Sequence, residues 1–483
     1  MKRILKNSAL IGSTELALIL VAIVRAKYLA VSIGPAGYGE YSLLNSFFAV
    51  LTAICGGWIA RGTIKYTAEY KQKNNIEAVA RVHNISVSIV LFLGTLTFFI
   101  VIIFSEFIRF KFLSPQIIFW NYTLFAASFL VSSLTPFYGW LLQGFLMVKK
   151  TVLLRTYTTL FNFVSIFVFV YLFELTGYFI SILISALFSL YLYWRETKKL
   201  VPTKLILPEL KDEIMIKLMK FGGVNFFLIV FTNISDYIQR VLVLSALNIS
   251  SVGLFQVINS ILSYMGILNR GSLFSHDPKM SQELSLDERN SEFNSFIRFN
   301  LLFGIPIGLI VILYSGELIT ILYSKEFNSL TSAVFFFVCA QIIQFVLGGI
   351  HSVMLGKALL KMHSFVSILS SLIIIAISFF FVKKYGLSAI GFSMIVANLS
   401  TFLIDYFYLK HKIGILLKSE VVLLSNIAII IISFSYWVQD LNFFIRTIFL
   451  VTSLLILAMT LSKIERSKLK FMIVARIRKK DSK

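Results

Sequence analysis

The sequence predicts an all-α integral membrane protein with about 14 transmembrane helices. Of its 483 residues, 58% are hydrophobic and only 14% are charged, and the mean hydropathy is +0.86. A soluble chain has to present a polar exterior, which this composition cannot supply. Apolar runs of about twenty residues, the length that crosses a bilayer as a helix, recur along the whole chain.

The runs place the spans in order along the sequence. We predict them near 8–33, 38–60, 84–104, 117–139, 153–173, 177–194, 219–246, 250–269, 297–315, 329–350, 364–382, 387–409, 421–437 and 443–461. Arg25 and Lys27 interrupt the first run, which argues against a removed signal peptide. No connecting segment is both long and apolar enough to fold as a separate domain.

The basic residues predict the orientation. If the N-terminus is cytoplasmic, the inner segments hold 36 of the 45 Lys and Arg residues and the outer segments hold six. Cytoplasmic loops carry such an excess, so we expect a multi-pass protein of the bacterial cytoplasmic (inner) membrane with both termini cytoplasmic. The net charge of +22 therefore indicates topology, not nucleic-acid binding, and the basic tail is expected on the anionic leaflet.

An internal repeat divides the chain. Gly39 and Gly253 each begin the pattern Gly-x-aromatic-x-x-x-Asn-Ser and lie 214 residues apart; Gly144 with Lys149 and Gly356 with Lys361 match at an offset of 212. An offset of six helices gives two halves of the same topology, related by an axis along the membrane normal. We predict six-helix lobes at 1–207 and 208–415 around a central cavity, and two extra helices with the tail at 416–483.

Charges inside the predicted spans mark the candidate site. The first span carries Glu15, Arg25 and Lys27, and the seventh carries Asp236 and Arg240. An ionisable residue within a bilayer costs roughly 2.5–3.5 kcal/mol on insertion scales, so it generally faces a wet cavity or a partner. Asp236 and Arg240 are four residues apart and can pair on one helix. Two interpretations stay open: the pair fastens helices, or it belongs to the site.

Amides extend this polar surface. They follow helical spacing on the seventh and eighth spans, with a counterpart on the second. The cavity-lining candidates are Asn45, Asn225, Asn233, Gln256 and Asn259. Asn45 and Asn259 could equally serve as interhelical hydrogen-bonding groups.

Arginine in a membrane cavity favours an anionic substrate, because guanidinium matches the oxygens of a phosphate. We therefore predict Arg25, Arg240 and Lys27 as substrate contacts, with Lys27 alternatively reaching the outer interface. No catalytic residues, metal ligands or cofactor motif are predicted, and the chain is not expected to be an enzyme. Cys55 and Cys339 lie in apolar runs, and His351 is expected to be structural.

Short motifs resemble a known family. The stretch from Ile33 to Ser42 is similar to the loop after the first helix of polysaccharide exporters, and Leu141 to Gly144 with the following lysines is also similar to these proteins. The stretch Asp236 to Ser260 resembles their seventh and eighth helices. With 12 + 2 helices, the chain resembles Wzx-type O-antigen flippases of the multidrug/oligosaccharidyl-lipid/polysaccharide (MOP) exporter superfamily.

The resemblance implies translocation of an undecaprenyl-pyrophosphate-linked oligosaccharide to the outer leaflet by alternating access. It also implies coupling to H+ or Na+, for which Glu15 and Asp236 are the candidates, and cationic pyrophosphate contacts at Arg25 and Arg240. We expect membrane lipids, and a polysaccharide polymerase and chain-length proteins, as partners of a monomer. No nucleic acid and no cofactor are expected.

Other functions stay open at the sequence level. A multidrug cation antiporter of the same superfamily would have an acidic cavity, and a lipid II flippase would handle a related lipid pyrophosphate. A membrane glycosyltransferase or polymerase would need a large extracytoplasmic loop, which the predicted spans leave no room for.

Overall fold

A computed structural model of the chain describes residues 2–206 and 212–461. The side chains of residues 2–17 and of positions 148, 224, 225, 268, 274 and 275 lie outside this description. The basic tail and the predicted lobe boundary at 207/208 also fall outside it. The division into lobes at 1–207, 208–415 and 416–483 stays a prediction.

The described chain consists of helices joined by short connections. The helices before position 266 are α1 (Lys2–Cys55), α2 (Ala60–Gln72), α3 (Ile76–Ile103), α4 (Ser105–Phe112), α5 (Phe119–Gly144), α6 (Val148–Thr197), α7 (Glu213–Ala246) and α8 (Ile249–Met265). The later helices are α9 (Ile267–Met280), α10 (Leu286–Leu313), α11 (Ser315–Leu322), α12 (Thr331–Gly356), α13 (Leu360–Tyr385), α14 (Leu387–Ile413), α15 (Ser419–Val438) and α16 (Phe443–Met459). Short 3-10 turns cover Gly57–Ile59 and Lys325–Leu330.

The predicted fold class is confirmed. Ten described helices are long and apolar enough to cross a membrane, and α8 with α9 forms a further pair bent by 43°. Two of the ten, α1 and α6, each contain a break that divides them into two predicted spans. With these breaks, the bent pair and the 17-residue apolar α16, the described helices account for the fourteen predicted spans.

The break in α1 follows from its sequence. Gly34 has φ +62°, a conformation open to glycine, and Pro35 follows it. Proline cannot continue a helix but starts one well, because its missing N–H would be unsatisfied in the first turn. Gly34 and Pro35 thus separate the first two spans, between Arg25 on one side and Asn45 on the other.

The local geometry supports the predicted repeat. After α5, Leu146 has φ +58°, and its N–H donates to the carbonyl of Gln143. After α12, Ala358 has φ +55°, and its N–H donates to the carbonyl of Leu355. Leu146 and Ala358 are 212 positions apart, and so are their acceptors. The same helix ending therefore occurs at the offset found in the sequence.

The glycines of the repeat motif contact each other. A methyl group on Gly39 would lie 2.0 Å from the carbonyl oxygen of Ile249, and one on Gly253 would lie 2.0 Å from that of Pro35. The repeat relates the two contacts to each other, because Gly39 and Gly253 are 214 positions apart and so are Pro35 and Ile249. The crossing of α1 and α8 therefore lies at the local axis of the repeat. Only glycine permits so close an approach of two backbones.

The described chain divides into two compact units. The first comprises Met1–Tyr264, Ile319–Ser332 and Ser364–Ala397. In it, α1 packs along α6 and α7, and α5 packs along α6. Large apolar side chains on its surface, such as Phe379 and Phe380, are 64% and 73% exposed, as expected for groups that face lipid.

The second unit comprises Met265–Leu318, Ala333–His363 and Asn398–Lys483. Here the last two helices are fastened to α10 and α11. Arg446 of α16 donates to Glu317 over 2.6 Å, and this hydrogen bond lowers the pKa of the Glu317 carboxyl. Arg298 of α10 lies 3.5 Å from Glu420 of α15, so both extra helices are joined to the unit by ion pairs.

Candidate functional site: a polar cavity around Arg25

A cavity of about 480 Å³ lies within the first unit. It is enclosed by α1, α5, α6 and α7, with α1 contributing residues from both sides of its break. Its polar lining residues are Arg25, Tyr41, Asn45, Thr52, Ser128, Ser132, Asn162, Tyr178 and Asn233. None of the described lining residues is a carboxylate, so the charged group in this lining is a cation.

Arg25 is held by α6. Its Nη1 donates to Oδ1 of Asn162 over 3.0 Å, and Nδ2 of Asn162 donates to the hydroxyl of Ser185 over 3.1 Å. One turn along α1, Tyr28 stacks on Phe167 with ring centroids 4.0 Å apart and donates to its carbonyl. These contacts fix the guanidinium at the cavity wall.

Among the described contacts of Arg25, most of its N–H donors are left for a ligand. A guanidinium has five N–H donors, and one is engaged by Asn162. No carboxylate among the described side chains lies within 4 Å of Arg25, in contrast to Arg240 and Arg446. A half-buried cation without a described counterion in a polar cavity is suited to binding an anion.

Arg240 lies elsewhere in the same unit and is 5% exposed. Its Nη1 is 2.7 Å from Oδ1 of Asp236, so the ion pair that the spacing predicts is formed. Its Nε donates to Ser42 over 2.8 Å and its Nη2 to Gln256 over 3.0 Å. With these partners Arg240 joins α7 to α1 and α8, and it is not among the lining residues of the cavity.

The structure therefore does not bring the two arginines into one described cavity. The contact that follows the repeat offset is made by Gln256 and not by Arg240. The Oε1 of Gln256 accepts a hydrogen bond over 3.0 Å from the hydroxyl of Ser42 on α1, and these two positions are 214 apart. The two arginines precede their glycines by 14 and 13 residues, so they do not occupy equivalent positions at the repeat offset of 214.

Lys27 is exposed and reaches a helix end. Its Nζ donates to the carbonyl of Ile321 over 2.5 Å, near the C-terminus of α11, where a cation interacts favourably with the unpaired carbonyls. Lys27 does not line the described cavity. Its contact resembles the alternative prediction of an interfacial lysine more than a substrate contact.

The predicted amides are divided between lining and support. Asn45 and Asn233 line the cavity, whereas Gln256 holds Arg240. Asn259 donates to the carbonyl of Phe255 on its own helix over 3.0 Å. The side chains of Glu15 and Asn225 lie outside the described residues, so the predictions for these two stay open.

Sequence reasoning missed Asn162, the direct partner of Arg25. The available signal was a single amide within the apolar fifth span, since polar groups there generally have an interhelical partner. Within the described residues, no group of three or more His, Cys, Asp or Glu side chains could hold a metal ion.

Comparison with known proteins agrees with this architecture. Residues 4–269 match the family described as polysaccharide biosynthesis protein. Among solved structures, the lipid II flippase MurJ in an inward closed conformation matches with a TM-score of 0.73 at 15% identity, over 93% of this chain and 98% of that one. An inward-facing multidrug resistance MATE family transporter of the MOP superfamily matches with a TM-score of 0.71 at 13% identity, over 85% and 96%.

A third structure is a MOP superfamily transporter from Pyrococcus furiosus, described as having a binding pocket of reverse polarity. It matches with a TM-score of 0.61 at 13% identity, over 84% of this chain and 94% of that one. No curated protein matches the chain. The chain thus has the fold of these MOP superfamily transporters, with many helices long and apolar enough to cross a membrane. It belongs to the polysaccharide biosynthesis protein family, which confirms the resemblance found in the sequence.

Proposed function

We propose that this protein is a flippase that moves an undecaprenyl-pyrophosphate-linked oligosaccharide, the repeat unit of a surface polysaccharide, from the cytoplasmic to the outer leaflet. The observation that carries the proposal is Arg25, which faces a polar cavity with Asn162 as its described partner. Membership of the polysaccharide biosynthesis protein family supports the substrate class.

The chemistry of the cavity suits the two ends of such a headgroup. The Arg25 guanidinium would donate to pyrophosphate oxygens in the planar, paired geometry that arginine offers. The amides of Asn45 and Asn233 and the hydroxyls of Ser128 and Ser132 would bind sugar hydroxyls. The polyprenyl chain would remain in lipid, where no protein contacts are needed.

The wider setting belongs to the same proposal. The protein would reside in the bacterial inner membrane as a monomer with both termini cytoplasmic, driven by H+ or Na+. A polysaccharide polymerase and chain-length proteins would receive its product.

The cation antiporter alternative is disfavoured by the lining. A cavity that binds cationic drugs needs carboxylates, and the described lining contains a guanidinium in their place. A lipid II flippase is the closer alternative, because the MurJ fold covers 93% of the chain and its lipid carries the same type of linkage.

Arg25→Ala tests the proposal. We expect surface polysaccharide in a strain that depends on this gene to fall by about tenfold or more, since a hydrogen bond to a charged group contributes about 1.5–3 kcal/mol. Arg25→Lys should restore only part of it, because one ammonium cannot replace the guanidinium geometry. The measurement is the amount of surface polysaccharide divided by the amount of membrane-inserted protein. Fluorescence-detected size exclusion quantifies the protein.

Lys111→Ala is the matched control, because it removes an exposed cation from α4 away from the cavity. It should leave export unchanged. Normal export by Arg25→Ala would refute the proposal. Two results together would favour the lipid II flippase instead. This gene would rescue a strain depleted of its lipid II flippase, and deletion of this gene would leave surface polysaccharide unaltered.

A further inference from the structure

A fully buried carboxylate in the second unit lies beside one imidazole, which packs against a second. Asp405 of α14 is 0% exposed, and its Oδ2 is 3.5 Å from Nε2 of His351 on α12. The ring of His363 on α13 packs edge-on against that of His351, with centroids 4.7 Å apart. Among the described residues, no donor makes a hydrogen bond to either oxygen of Asp405.

Few other charges face this group. Lys361 of α13 and Lys410 of α14 are exposed or only partly covered, and no described lysine or arginine lies within 4 Å of Asp405. The helices α9 and α10 contact α12 one turn before His351, through the uncharged side chains of Asn269 and Phe296. Among the described residues, His351 is thus the titratable base within 4 Å of Asp405.

Burial acts on Asp405, which is 0% exposed, and less on His351, whose side chain is 23% exposed. An isolated carboxylate in an apolar interior costs several kcal/mol, so the charge of Asp405 must be compensated. One proton does so, either on Asp405 beside a neutral His351 or on His351 as imidazolium beside the carboxylate. Both arrangements contain the same single proton, which belongs to the pair and not to one residue.

The pair lies close to helix ends. His351 is five residues before the last residue of α12, Gly356, and His363 is three residues after the first residue of α13, Leu360. A helix rises 1.5 Å per residue, so both imidazoles are within about 8 Å of the turn that joins these helices. The proton therefore has a short path to water at one face when the helices part.

We propose that Asp405 and His351 form a proton-binding site. The proton would be held by the carboxyl of Asp405 or by Nε2 of His351, 3.5 Å apart, and released to water when a movement of α12 against α14 opens the buried carboxyl to solvent. That this binding drives export rests on the function proposed above. It would identify the coupling ion as H+ and assign it to residues that the sequence did not predict.

The pH dependence of stability tests the site without any substrate. Above about pH 6.5 the histidine of an unfolded chain loses its proton, and a proton-binding site formed by the folded pair would have to keep one. The unfolded state then binds fewer protons, so stability falls as pH rises, by about tenfold in the folding equilibrium per pH unit. Wild-type protein in detergent should therefore show a melting temperature that declines from pH 6.5 until the pair releases its proton.

Asp405→Asn should abolish that decline, and Asp405→Glu should retain it. His351→Gln should move its onset down from about pH 6.5 to about pH 4, where the carboxyl of an unfolded chain loses its proton while the buried Asp405 would keep one. His411→Gln is the matched control, because it removes an exposed histidine from α14 six residues beyond Asp405. If Asp405→Asn does not fold, His351→Gln carries the test. An unchanged decline in His351→Gln would overturn the proposal. Stabilisation of the wild type by Na+ over choline, lost in the Asp405 variants, would also overturn it in favour of a sodium site.

Export separates this inference from the proposed function. We expect Asp405→Asn and His351→Gln to lower surface polysaccharide while Arg25→Ala keeps the wild-type pH profile of stability. If Arg25→Ala exports normally, the proposed substrate contact fails although the proton site can still stand. If the two site variants export normally but lose the wild-type pH profile, the site binds a proton that does not drive export, and the coupling is refuted.

Discussion

Glu174 adopts a backbone conformation that its side chain opposes. At φ +49° and ψ −126° it breaks α6 between the fifth and sixth predicted spans. Its counterpart 212 positions later is Gly386, with φ +58°, in the turn between α13 and α14. One copy of the repeat therefore places glycine where the other places a side chain with a Cβ.

We predict that Glu174→Gly stabilises the protein. A residue in such a sparsely populated region costs about 1–3 kcal/mol, and glycine removes this steric cost while losing about 0.4–1 kcal/mol to backbone entropy. Gly386→Ala is the converse variant and should destabilise, since nothing near that position but the backbone angle opposes a methyl group. Thermal unfolding in detergent measures both, and a lower melting temperature for Glu174→Gly would contradict the prediction.

Single residues also show where sequence reasoning ends. Arg25 was predicted because a charge in an apolar run is visible in the sequence. Asn162 and Asp405 were visible in the same way, but their importance depends on which helix faces them, and that is a tertiary property. Asp405 needs His351 from α12, 54 residues earlier in the chain, to become a site.

At the scale of elements, the crossing of α1 and α8 depends on two glycines. Gly39 and Gly253 let the backbones approach so closely that a methyl group on either would overlap a carbonyl oxygen of the other helix. The same crossing carries the hydrogen bond from Ser42 to Gln256 and the contact of Arg240 with both. Backbone contact and polar contact thus occur at equivalent positions of the repeat.

Gly253→Ala is expected to separate these helices and to destabilise the protein by about 1–3 kcal/mol or more, as overpacking does. It should also reduce export, because the Arg240 contacts depend on the same spacing. Gly223→Ala on α7 is the control, since a methyl group there has no atom within 4 Å. The control should be neutral or slightly stabilising. Equal melting temperatures for the two variants would show that the close crossing does not occur.

At the scale of the whole molecule, the helix count and the fold class followed from composition and apolar run length alone. Physics restricts a membrane-spanning chain to few solutions, so these signals suffice. The helix breaks at Gly34 and Glu174 lie at span boundaries that the sequence predicted. Which polar faces share a cavity did not follow, because it depends on tertiary contacts: Asn162 of α6 holds Arg25 at the cavity, whereas Arg240 is held by Ser42 of α1 and Gln256 of α8.

The orientation of the chain is the remaining whole-molecule prediction, and it rests on the distribution of basic residues, 36 inner to six outer. In a background of Cys55→Ala and Cys339→Ala, a cysteine at Lys383, after the apolar part of α13, should react with a membrane-impermeant maleimide in intact spheroplasts. A cysteine at Lys361, at the other end of the same helix, should react only after the membrane is opened. Because the two positions differ only in the end of α13 they occupy, the reverse pattern would invert every loop and place the Asp405–His351 site at the outer face. Its proton would then be exchanged with the opposite compartment.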